Sequence, residues 1–421
     1  MLKRLTISFC LAIFFILIFI FLVPNLSLVH GHGHGHGHGH GHGHRHIYNI
    51  SEKCNESIVA KTNSESDKTE KILIEQYKKS GISDIEKKVD NDISSFFDIN
   101  NISVMNIAQG KFKFDIKNIF QRIINLFIYE INLSIRVSAQ IVLITLLMSL
   151  IISLQNDFMG KSVSEVAFFS CYMIIIGIGI KYFIGSYNIA KQTINTMSSC
   201  IHTIMPIMMI FSGKSNLINN ITSNLTLKPA LFYIIQITCL VINNFLMPFT
   251  IFSTVLTFAD NISDRYKITS LVNLSKNIIK WCLEILLVIF SGACVVFTIS
   301  AGISNSMGVK TLKFAVGNFV PLVGRTLVES MELVLNCSII IRNSLGLFGI
   351  LTVMAIGLIP IIKILCQKLI FHLTAAIIEP ISDKKIVLCT NGIANSLTLL
   401  FLMLFIMQII FTISIVTSFN F

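Results

Sequence analysis

From residue 137 to the C-terminus the chain alternates long apolar runs with short polar stretches. Crossing a hydrocarbon core of ~30 Å takes about 20 helical residues. Runs of that order lie at 137–154, 166–184, 194–211, 229–258, 278–299, 344–366 and 393–416, which predicts about seven transmembrane helices. Ahead of them, Ile116, Ile119, Phe120, Ile123, Phe127 and Ile131 recur at helical spacing, while Lys117, Arg122 and Glu130 fall elsewhere on the wheel. That pattern predicts an amphipathic helix within 111–136, lying along the membrane surface or docked on a partner. The region 47–110 is polar, with one modest helical stretch at 68–79 that carries Ile72, Leu73, Ile74 and Tyr77 and stops before Gly81. It reads as a small extracytoplasmic module. At the start, Lys3 and Arg4 precede an apolar run over 5–23, then Pro24 and a small polar stretch. Residues 1–30 are therefore expected to be a signal peptide or an uncleaved signal anchor.

Composition decides between lipid and water. A chain with 53% hydrophobic residues, 13% charged residues and a mean hydropathy of +0.75 is not a soluble globule. Short segments of alternating polarity, the mark of a membrane β-barrel, do not stand out. The expected fold class is all-α, a polytopic helical membrane protein with a small exported N-terminal region. The formal charge of +11 does not imply nucleic acid, because the lysines and arginines sit mostly beside apolar runs, where they anchor helix ends at lipid headgroups. Ten cysteines are scattered singly, with no C-x-x-C pair, so neither a zinc site nor a disulfide framework is indicated.

The tract 31–46 is a run of Gly-His repeats carrying His32, His34, His36, His38, His40, His42 and His44. Imidazoles bind zinc, nickel or copper, so adventitious metal binding is expected. Glycine at every second position cannot preorganise a coordination geometry, which favours a low-complexity linker. No resident cofactor is expected.

Enzyme motifs are absent. Gly160-Lys161-Ser162 and Gly213-Lys214-Ser215 resemble the end of a phosphate-binding loop, but Gln155 and Met208 occupy the upstream glycine position. No metalloprotease or nucleophile-elbow motif occurs, and a non-enzymatic role is expected. The informative residues are polar groups in apolar surroundings, because a charge at a helix centre costs about 2.5–3.5 kcal/mol on the insertion scale. Arg325, Glu329 and Glu332 are spaced to share one helix face, and Gly317, Pro321 and Gly324 precede that helix. The segment is a candidate conduit or packing element; an interfacial helix with water-facing charges is the alternative. A second polar set, Lys363, Lys368, His372, Glu379, Asp383, Lys384 and Lys385, is accounted for by a solvated loop. Lys280 and Glu284 flank Trp281 as an interface anchor. Asn243 and Asn244 are candidates for interhelical hydrogen bonds.

The run from Lys313 through Phe314, Gly317, Asn318, Pro321 and Gly324, followed by Ser344-Leu345-Gly346-Leu347-Phe348-Gly349, resembles the stage III sporulation protein AE family. So do Pro360-Ile361-Ile362-Lys363 and the stretch Ala375-Ala376-Ile377-Ile378-Glu379-Pro380 with Asp383. The Gly-His tract is not a feature of that family, and Arg325 stands where its pattern has a small residue. The resemblance implies a membrane component of the transenvelope channel or export complex joining mother cell and forespore, required for late forespore gene expression. It implies a place in the mother-cell membrane surrounding the forespore, with the N-terminal region in the intermembrane space. Implied partners are the other stage III sporulation operon proteins, including a cytoplasmic ATPase, and stage II sporulation protein Q from the forespore side. A self-contained small-solute permease and an assembly scaffold without a conduit are the alternatives.

Overall fold

The computed structural model describes residues 74–75, 103–109, 116–158, 161–214, 224–262, 267–304 and 324–419. Among them the elements are α1 (Val104–Ala108), α2 (Ile116–Phe158), α3 (Lys161–Lys214), α4 (Asn224–Val241), a π-helical segment (Ile242–Leu246), α5 (Met247–Ile262), α6 (Thr269–Ser304), α7 (Gly324–Ile378) and α8 (Lys384–Phe419). No strand occurs among the described residues. Apolar sequence favours this outcome because a helix satisfies its own backbone where no water is available. Serine and threonine hydroxyls within the helices are satisfied locally too: Thr145, Thr250, Thr352 and Thr390 each donate to the carbonyl four residues back, at 2.7–2.9 Å.

Six helices are long and apolar enough to cross a membrane among the described residues. The expectation was about seven. The difference lies in α3, where the runs 166–184 and 194–211 belong to one continuous helix of 54 residues. Between them stand Gly185, Ser186, Tyr187, Asn188 and Lys191, with no proline and a single glycine, so nothing breaks the helix. The amphipathic stretch before residue 137 is likewise continuous with the first span as α2.

The π-helical segment has a local cause. Pro248 lacks an N–H, and its ring would clash with the carbonyl four residues back. Just upstream the ladder widens, and Met247 N–H reaches the Ile242 carbonyl.

α7 and α8 form the centre: 72% of the most apolar window of each is buried, against 39% or less in the other four spans. They run antiparallel, with Gly349 beside Ile415 and Lys368 beside Phe401. α3 packs parallel to α8, with Gly179 at Ile393 and Met205 at Ser418. Without a strong hydrophobic drive between helices in lipid, small residues at the contacts let backbones approach. A β-carbon on Gly392 would stand 2.7 Å from Thr257 Cγ2, so α5 and α8 could not pack this closely with alanine there.

Candidate functional site

The segment singled out in the sequence is described only in part. Gly324 opens α7, and Arg325, Glu329 and Glu332 follow in its N-terminal turns. Gly317 and Pro321 lie outside the described residues, as do His32, His34, His36, His38, His40, His42 and His44. Among the described residues, no group of three or more His, Cys, Asp or Glu side chains is placed to hold a metal ion.

The strongest polar constellation instead lies between α2, α3, α7 and α8, near the α7–α8 turn. Lys368 was expected in a solvated loop. It sits inside α7 with 6% of its surface exposed, and its ammonium lies 5.2 Å from the Phe401 ring centroid on α8. The ring face offers the cation a partner that needs no water. His372, one turn further along, is half-buried and interacts with Asn391 on α8. His372 Nδ1 and Asn391 Oδ1 are buried with no hydrogen-bond partner among the described residues. Only 379–383 form the actual turn, where Asp383 Oδ1 accepts from Lys385 N–H at 2.8 Å and caps α8. Periodicity explains why this cluster escapes a sequence reading: the charges between Lys363 and Lys385 look contiguous, but helix spacing sends Lys368 inward.

Two further contacts tie the cluster to its neighbours. The Ser186 hydroxyl on α3 is shared between the Tyr182 carbonyl and Gln367 Oε1 on α7, and Gln367 is 8% exposed. Thr374 donates to Ser138 on α2 at 2.6 Å. On that same side Glu130, 6% exposed, lies beside Cys366, and its Oε2 has no hydrogen-bond partner among the described residues. A buried carboxylate with an unmatched oxygen is costly, and in membrane helices such groups mark pathways or relays. The set gathers buried charged and hydrogen-bonding side chains on several sides of α7. It contains no arranged nucleophile, base and oxyanion donor among the described residues.

A second polar locus lies on α3. A cleft of ~440 Å³ is lined by Asn188, Lys191, Gln192, Asn195, Thr196 and Ser199. Asn195 Oδ1 accepts from Asn243 Nδ2 at 3.0 Å, so Asn243 makes the interhelical bond expected of it, from within the π-helical segment.

Comparison with known proteins gives one consistent result. The family model described as stage III sporulation protein AE matches residues 97–419. Among curated proteins, the stage III sporulation protein AE of Bacillus subtilis (strain 168) is similar, 28% identical over 312 residues that cover 74% of this chain and 77% of the relative. No solved structure matches.

Proposed function

The chain belongs to the stage III sporulation protein AE family, and from that premise we propose that it is a non-enzymatic subunit of the transenvelope channel or export complex between mother cell and forespore. It is a multi-pass helical membrane protein of a sporulation family. In the proposed role it sits in the mother-cell membrane around the forespore, with its N-terminal region in the intermembrane space. The other stage III operon proteins, a cytoplasmic ATPase among them, and stage II sporulation protein Q are its proposed partners. The observation carrying this reading is the family match across 97–419, which takes in the six membrane-length helices found among the described residues. Lys368 and Glu130, buried on different sides of α7, favour a path over a scaffold, because polar groups inside membrane helices mark solute or proton routes.

The test is a clean deletion in the native spore former, with engulfment scored by microscopy and a late forespore transcriptional reporter followed in parallel. Completed engulfment with a silent reporter is expected. Normal spore maturation would overturn the proposal.

A further inference from the structure

The outward surface of α3 changes character along its length. Between 166 and 180 its exposed positions are mostly large apolar ones, Val166, Phe169, Met173, Ile174 and Ile180 beside Ser170 and Gly177, as on a lipid-facing helix, and Lys181 and Ile184 mark the change. Between 185 and 203 the exposed positions are Gly185, Asn188, Lys191, Gln192, Asn195, Ser199, His202 and Thr203, with no large apolar side chain among them. A helix rising out of the bilayer into water would show the same switch, so the neighbouring helix has to decide.

The level of the polar stretch is set by two contacts. Asn195 bonds to Asn243 at 3.0 Å, and His202 meets Phe232 edge-on with centroids 5.3 Å apart. At that level the adjacent α4 and π-helical segment expose mainly apolar side chains, Tyr233, Ile237, Leu240 and Phe245, with Asn244 beside them. One rung of the bundle therefore presents apolar side chains on one helix and amides, hydroxyls and an ammonium on the next. Bulk water leaves the first uncovered, and lipid strands the second.

We propose that this face of α3 lines a water-filled path through the membrane for small hydrophilic solutes of neutral or anionic class. The depression of ~440 Å³ on this face is open and shallow, lined by α3 side chains, as one wall of a wider path would be. Lys191 is the one charged group in its described lining, so the local field disfavours cations, while the amides and hydroxyls can replace a solute's hydration. The π-helical segment contributes by holding Asn243 against Asn195, which fixes one edge of the cleft. The water-lined face stands on geometry; the passenger rests on the channel reading above.

The experiment is cysteine accessibility on the full chain in membranes of sporulating cells, where the complex is assembled. Cys171 and Cys282, both partly exposed, are first replaced by serine. Asn188→Cys, Gln192→Cys and Ser199→Cys are then compared with Ile237→Cys and Leu240→Cys for reaction with membrane-impermeant thiosulfonates. The α3 positions are expected to react on the order of tenfold faster than the α4 positions, since the reagent needs a hydrated thiolate. An anionic reagent should outpace a cationic one at Gln192→Cys, and Lys191→Gln should remove that preference. Slow reaction at both sets would overturn the proposal, by placing the face against lipid or protein. Fast reaction at both would overturn it too, by placing this level of the bundle in bulk water. The labelling result is independent of sporulation. Inert α3 positions in a chain whose deletion silences the late reporter would remove the path and leave the sporulation role; reactive positions in a chain dispensable for spores would do the reverse.

Discussion

Gly357 on α7 faces the side-chain amide of Gln408 on α8 so closely that a β-carbon there would overlap Oε1, and would stand 2.9 Å from Cδ and 3.3 Å from Met197 Cε. Gln408 is fully buried and cannot swing away freely, because its Nε2 donates to the Val353 carbonyl at 3.2 Å. Gly357→Ala is therefore expected to carry an overpacking cost of about 1–3 kcal/mol, offset by the ~1 kcal/mol that alanine gains over glycine inside a helix, for a small net loss of stability. Thermal unfolding in detergent measures it. Adding Gln408→Ala should recover part of the loss, and strict additivity of the two changes would deny the contact.

Lys368 separates packing from function. Lys368→Met keeps most of the aliphatic stem and its packing against Phe401 while removing the charge. The expected result is normal assembly with loss of late forespore reporter expression, and Lys368→Arg retaining part of it. Full reporter activity in Lys368→Met would assign the residue to packing alone.

Asp260 organises the turn into α6. Its Oδ1 accepts from Ile268 N–H at 2.7 Å, its Oδ2 from the Thr269 hydroxyl at 2.8 Å, and the residue is 8% exposed. Hydrogen bonds to a charged group contribute about 1.5–3 kcal/mol each, so Asp260→Ala should lower stability by at least about 2 kcal/mol. Asp260→Asn should lose less, since its amide oxygen still accepts. Equal melting temperatures for all three proteins would refute the cap.

The α5–α6 hairpin brings the hydroxyls of Ser253 and Ser275 to 2.9 Å in a buried setting. Ser253→Cys combined with Ser275→Cys should form a disulfide on mild oxidation, read as a mobility shift that reducing agent reverses. Pairing Ser253→Cys with a cysteine at Leu274, which is exposed and faces away, should not.

Class, membrane embedding and family were determined by the sequence alone. Apolar runs of membrane length act through local composition, and the residues from Lys313 to Asp383 carry the family pattern. Tertiary structure decided where helices end and which polar groups face inward. The polar stretch after Ile184 looked like a loop between spans because hydropathy sums a window without asking which side each residue takes. In the fold, Ala190, Ile194 and Met197 are buried, while Asn188, Lys191 and Asn195 point outward, so α3 runs straight through. Lys368 and His372 likewise looked like parts of a solvated loop until α7 placed Lys368 over Phe401 and His372 beside Asn391. Such placements depend on a partner helix far along the chain, and no local pattern encodes which helix that will be.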